Sequence, residues 1–278
     1  MWKQKTGISV SNSYGVPVPE LVRLVGRTGF DAVSPEWEEN DDFAETAEAA
    51  RESGLAIQSL HGPFDVAAKM WSADQDDSEE AMRKLLLSLE TCKQYSIPVM
   101  VVHVWMGFDN IPAPNSEGFE NFGKLVKKAE EYGVKIAFEN TEGDELLFAL
   151  MEHFCWDSGH EMCYNHSMDL LARFGDRLIM THLNDNLGIS RFDGKTYWTD
   201  DLHLLPFDGI ADWDYNIARM KKAKKQEYIN FELNIRSKPN RHENDAYGEM
   251  PIERYFTEAY NRACRIAYKM AQTDNGCF

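Results

Sequence analysis

The chain has 278 residues, with 46 acidic side chains against 29 basic ones and a formal charge of −17. That length fits a single α/β barrel and is short for two large domains, while 43% hydrophobic and 12% aromatic residues allow a sizeable core. Such acidity argues against broad attraction to nucleic acid, which needs basic surface. It fits ordinary solubility, or a carboxylate-rich site that takes up cations. Five cysteines (Cys92, Cys155, Cys163, Cys264 and Cys277) form no C-x-x-C pair and are odd in number, as expected in a reduced, cytoplasmic compartment. The start, MWKQKTGISV, lacks the apolar core of a signal peptide. The longest nearly apolar run, Pro98 to Phe108, contains His103 and is far too short to span a membrane.

Short apolar runs alternate with amphipathic stretches along the chain. Strand patterns cover Thr6–Ser11, Asp31–Trp37, Leu55–His61, Pro98–Trp105, Lys135–Asn140, His153–Asp157, Leu178–His182 and Tyr228–Asn234. Helical patterns fall between and after them: Val18–Thr28, Asp42–Ser53, Glu79–Tyr95, Glu117–Tyr132, Asp144–Met151, Ser167–Phe174, Asp212–Lys225 and Ile252–Gln272. Gly29, Gly54 and Gly133 stand where helices should stop. Eight strand–helix units at this spacing, with runs such as VMVVHV that suit strands buried on both faces, predict an α/β fold. It is one (β/α)8 TIM barrel over residues 1–278.

The strand ends carry the chemistry. His61 ends the third strand, His103 lies on the fourth, Glu139 on the fifth, and Asp157 ends the sixth with His160 just beyond. His182 ends the seventh, and a loop of about twenty residues, long enough to be functional, adds Asp201 and His203. Glu232 lies on the eighth. In such barrels the C-terminal strand ends converge on one mouth. Carboxylates packed there would raise one another's pKa unless cations compensate. Imidazoles with carboxylates suit zinc, manganese or iron. These nine residues are therefore the predicted ligands of one to three divalent ions, Zn or Mn.

Read together, LHGPF at 60–64, IAFEN at 136–140, CWDSGH at 155–160, MTHLNDN at 180–186 and NFELN at 230–234 give the chain a resemblance to the xylose isomerase-like barrels. That superfamily includes sugar isomerases, sugar epimerases and endonuclease IV. In its ketose epimerase branch, the resemblance implies one divalent ion on Glu139, Asp157, His182 and Glu232, with Glu139 and Glu232 also moving the proton beside the carbonyl. In endonuclease IV it implies a three-zinc cluster on all nine positions. Departures from that second pattern fall mainly in loops expected to face DNA. GPFDVA follows His61, Asn186 replaces a small residue, Ser158 stands for threonine, and Phe207 takes the place of the first glycine of a G-x-G.

The expected activity is therefore a divalent-metal-dependent isomerase or epimerase of a sugar or sugar phosphate, with Glu139 and Glu232 as catalytic residues. The alternatives are an endonuclease IV-like multi-zinc phosphoesterase acting on abasic DNA, a keto-inositol type dehydratase, and a barrel that binds sugar without turning it over. Trp37, Trp105 and Arg191 are expected to bind substrate. Trp71, Trp198, Lys195, Arg236 and Glu36 are further residues expected near the mouth. The expected partner is a small sugar, without nucleic acid or membrane. The resemblance also implies a homo-oligomer.

Overall fold

The computed structural model describes residues 2–165 and 168–272. Cys277, His166 and the predicted helix start at Ser167 lie outside them. Strands β1 (Lys5–Val10), β2 (Ala32–Pro35), β3 (Ala56–Ile57), β4 (Leu60–His61), β5 (Val99–His103), β6 (Lys135–Glu139), β7 (Phe154–Asp157), β8 (Leu178–His182) and β9 (Tyr228–Phe231) occupy eight positions around a barrel. The third position holds both β3 and β4. The sequence pattern gives one strand there, and the structure breaks it around Gln58. The side chain of Gln58 crosses the barrel to donate to Asn230 Oδ1. Gly7 makes the crossing possible, because a Cβ there would lie 2.0 Å from Gln58 Nε2.

Every ladder is parallel, in two arcs ordered β3-β2-β1-β9 and β4-β5-β6-β7-β8. Single parallel bridges, Glu36 with His61 and Leu183 with Phe231, join the arcs at their two seams. The predicted (β/α)8 architecture is therefore present. Ten helices of the described residues accompany the strands: α1 (Val18–Gly26), α2 (Phe43–Ser53), α3 (Gln75–Gln94), α4 (Ser116–Tyr132), α5 (Asp144–Leu150), α6 (Ser158–Cys163), α7 (Leu170–Phe174), α8 (Trp213–Lys222), α9 (Asp245–Gly248) and α10 (Ile252–Ala271). Side chains of Asp42, Asp74, Asn115 and Asp212 accept backbone N–H groups at the starts of α2, α3, α4 and α8. Gly54 and Gly133 end α2 and α4 in the left-handed conformation. Helix α8 stops short of the predicted Lys225, since Ala223 is already extended. The short α6 and α9 have no counterpart in the sequence pattern, being too brief to show a period. Among the described residues no helix is long and apolar enough to cross a membrane.

The period of two along each strand sorts the core into two zones. Val102, Phe138, Phe154 and Trp156 belong to the large core, while Val101, Ala137, Cys155 and Met180 form a separate buried cluster. Two residues further along β5 to β8 come His103, Glu139, Asp157 and His182. They pair as His103 with Glu139 and Asp157 with His182. A small apolar layer thus forms the floor beneath a layer of ligand-type side chains.

Candidate metal centre

All nine predicted ligands meet at the C-terminal mouth. Glu139, with no exposed side-chain surface, is the hub: its Oε1 lies 2.9 Å from His182 Nδ1, and its Oε2 lies 3.3 Å from His61 Nε2 and 3.2 Å from His103 Nε2. Glu232 Oε2 approaches the same His182 Nδ1 at 3.3 Å. Asp157 and His160 arrive together because Asp157 caps α6: its Oδ1 accepts the backbone N–H of His160 at 2.7 Å. Its other oxygen accepts Asn184 Nδ2 at 2.9 Å. From the long loop, Asp201 Oδ1 lies 2.8 Å from His203 Nε2 and 3.5 Å from His160 Nε2, and Lys238 Nζ sits 3.3 Å from Asp201 Oδ2.

Three of the imidazoles are oriented in one way. The Nδ1–H of His61 donates to the carbonyl of Gly62 at 2.8 Å, that of His160 to Asn140 at 3.0 Å, and that of His203 to Glu232 at 3.0 Å. A carbonyl can only accept, so each Nε2 is left to point at the carboxylates, as metal-binding histidines require. His182 Nε2 is buried without a hydrogen-bond partner. Ligand atoms within 4.8 Å of one another form the sets His61–His103–Glu139, Asp157–His160–His203, and Glu139–Asp157–His182–Glu232, among others. This mixed nitrogen–oxygen donor set fits borderline divalent cations.

The charges compensate one another in the bare protein. Burial alone would raise Glu139, but the imidazoles of His182 and His103 hold it well below the usual carboxylate range. Burial likewise opposes the charged form of Asp201, yet His203, Lys238 and His160 hold it low. Asp157 is pushed up to about 6, chiefly by burial. Burial would lower His61 and His203, but Glu139 and Asp201 respectively push each up to about 9. His103 moves down, because burial dominates there. Cys155 lies within reach of Glu139 and His182, and burial keeps its thiol well above the ordinary range.

Above this layer opens a cavity of about 320 Å³, lined by His61, His103, His160, Asp201, His203 and Glu232. Ser9, Ser34, Glu36, Phe64, Phe108, Glu142, Tyr164, Trp198 and Lys238 complete much of its wall. Glu139 does not line it. The pair expected to flank a substrate is therefore split: Glu232, 23% exposed at its side chain, reaches the cavity, and Glu139 lies beneath it.

The expected substrate-binding residues are placed elsewhere. Trp37 is one residue past the inward-facing Glu36, so its ring turns out and donates to Thr91 Oγ1 on α3 at 3.2 Å. Trp105 folds back on its own loop, donating to the Gly107 carbonyl at 2.8 Å. Arg191 stacks on Tyr197, 4.6 Å from its ring centroid. Trp71 packs inward and donates to the Val104 carbonyl at 2.7 Å. Of the tryptophans expected at the mouth, Trp198 lines the cavity, with Lys238 Nζ 5.5 Å from its ring. Glu142, Tyr164 and Lys238 escaped the sequence reading because they sit on loops or just past a short helix. Tyr164 had one signal, its i+4 spacing from His160, on which its ring stacks at 4.8 Å.

A family model described as xylose isomerase-like TIM barrel matches residues 22–251. The chain belongs to that family. "Uncharacterized protein y4fM" of Sinorhizobium fredii (strain NBRC 101917 / NGR234) is 29% identical over 198 residues. The match covers 63% of this chain and 55% of that protein, so the chain spans about half the length of this curated relative. Among solved structures, IOLI protein with a binding zinc atom has a TM-score of 0.73 at 15% identity, covering 96% of this chain and 99% of that one. D-psicose 3-epimerase with D-tagatose, from Clostridium cellulolyticum H10, gives 0.68 at 12% identity, covering 94% and 99%. The 3-keto-D-glucoside 4-epimerase YcjR from E. coli, in its apo form, gives 0.67 at 17%, covering 94% and 100%.

Proposed function

We propose that the chain is a divalent-metal-dependent sugar isomerase or epimerase that moves a proton next to a carbonyl. The observation that carries this reading is a carboxylate, Glu232, that faces a part-enclosed cavity of about 320 Å³ while touching the ligand cluster. Cations would be held by Glu139, Asp157, His182 and Glu232, with His61, His103, His160, Asp201 and His203 as further ligands. When bound, they would supply Lewis-acid polarisation of the substrate carbonyl. Glu232 is the proton carrier in this reading, because of the two glutamates expected to be catalytic it alone lines the cavity. Glu139, held among four imidazoles, those of His61, His103, His160 and His182, is a ligand. Glu36 and Glu142 also line the wall, and burial raises both, so each suits the return of a proton from another side.

A second reading, metal-assisted phosphoester hydrolysis, is favoured by the number of ligands: three sets sharing Glu139 and Asp157 offer places for more than one ion. Deuterium uptake separates the two. Metal-loaded protein incubated with ketoses and aldoses in D2O is expected to exchange the hydrogen beside the carbonyl. Glu232→Gln should lower that exchange by about 10²-fold or more while elemental analysis still finds bound metal. Incision of abasic DNA, with no exchange on any sugar, would replace the first reading with the second.

A further inference from the structure

The wall of the inner cavity is shared. Phe108, Glu142, Tyr164 and Trp198 also line a second, larger hollow of about 1040 Å³ that lies beside it. This outer cleft is built by the loops after β5, β6 and β8: residues 108–113 on one side, 142–145 below, and 194–198 on the other. Apart from the shared Glu142, the proton-transfer reading makes no use of it. A monosaccharide held over the ligand cluster would leave it empty.

Its lining has a definite chemistry. Phe108, Tyr197 and Trp198 offer rings, on which the C–H faces of a sugar or an apolar aglycone can lie. Asp109 and Glu145 add carboxylates that can accept from hydroxyl groups, Glu142 and Asp144 add carboxylates that also accept from Gly107 N–H and Asn165 Nδ2, and among the described residues Lys195 is the one Lys or Arg of the lining. Among the described residues the one Lys or Arg lining the inner cavity is Lys238, already engaged with Asp201, and the imidazoles there face carboxylates. A phosphate or a nucleic acid strand lying in the outer cleft would meet mainly like charge from the carboxylates that line it. A neutral polyhydroxyl group would not.

We propose that the outer cleft is a second subsite, which holds the uncharged distal part of a glycoside whose reacting ring occupies the inner cavity. The inference rests on the sugar reading above and narrows it to neutral, disaccharide-sized substrates. Calorimetric titration of the metal-loaded protein with glucose, glucose 6-phosphate, methyl glucoside, cellobiose and maltose tests it. At least one disaccharide should bind about tenfold or more tightly than glucose, which corresponds to about 1.4 kcal/mol, and glucose 6-phosphate should bind more weakly than that disaccharide. Tyr197 lines the outer cleft alone, so Tyr197→Ala should bring the disaccharide-to-glucose ratio back toward one, while Tyr197→Phe, which keeps the ring, should retain it. Ala113→Trp, which narrows the same cleft from the opposite loop, should also reduce the ratio. Glucose binding with no gain for either disaccharide overturns the subsite and leaves the sugar reading standing, as does a gain that survives both Tyr197→Ala and Ala113→Trp. Preferential binding of glucose 6-phosphate overturns the charge argument and the neutral-substrate class with it. Binding of none of the five overturns the subsite for glucosides, and the deuterium exchange with ketoses and aldoses then decides the sugar reading separately.

Discussion

Phe207 has a φ of 76°, in the left-handed region that disfavours side chains by about 1–2 kcal/mol. It stands where the endonuclease IV pattern of the resemblance would have the first glycine of a G-x-G, a residue free of that cost. Its ring packs near Trp213, with Arg265 3.8 Å from the ring centroid, and its N–H donates to Asp185 Oδ2 at 2.8 Å. Phe207→Ala loses the packing and keeps the strain, whereas Phe207→Gly loses the packing and releases it. In urea unfolding, Gly is expected to be more stable than Ala here by about 1 kcal/mol, the reverse of the usual order. Equal stabilities would mean that the backbone relaxes without help. Residue identity alone also shows how far the sequence could be read. The nine ligand-type residues were legible because strand ends converge in a barrel, whatever their rotamers. Trp37 could have been placed by parity, since Glu36 faces inward and its neighbour must face out. Trp105 and Arg191 had no such rule: past the strand end, a loop hydrogen bond or a stacking partner decides where the side chain goes.

The loop between β8 and α8 is long but firmly hung. Asp185, fully buried, accepts four donors: the N–H groups of Asn186, Phe207 and Ala211, and Trp213 Nε1, at 2.8–2.9 Å. Its backbone pairs both ways with Leu204 at 2.9 Å. Gly209 leaves the room, because a Cβ there would lie 2.2 Å from Asp185 Oδ1. One carboxylate thus fixes the far limb that carries Asp201 and His203. Asp185→Asn sets an NH2 group against N–H donors, and should cost about 2–4 kcal/mol. Elemental analysis of the variant should also find less bound metal per folded chain, because Asp201 and His203 lose their support. Full occupancy in a destabilised Asn variant would separate the loop's anchoring from the ligand set. From sequence, the length of this loop and its ligand types marked it as functional. The device that orders it did not show, because Asp185 and its donors lie up to 28 positions apart. The α/β alternation was legible for the opposite reason, since each period is local.

For the whole molecule, the bare site has a pH signature. His61 and His203 are raised from 6.5 to about 9 in the folded state. A group whose folded pKa exceeds its unfolded value gives its full stabilisation below the unfolded value, and that contribution is lost as pH rises through the folded one. The metal-free protein should therefore lose melting temperature between about pH 6.5 and 9. With zinc, the decline should disappear or reverse, because metal binding displaces those protons and strengthens as pH rises. A metal-free melting temperature that is flat across this range would contradict the carboxylate–imidazolium pairing. The two-arc construction adds a further consequence. The chain itself runs through one seam, from β3 to β4, where Glu36 and His61 also bridge; the other is closed by the Leu183–Phe231 bridge and by the Thr181 hydroxyl, which accepts the Asn230 N–H, with His182 and Glu232 flanking it. Bound cations would add rivets beside both joints of the ring, so that the ligand cluster would also help to fasten the two half-shells together.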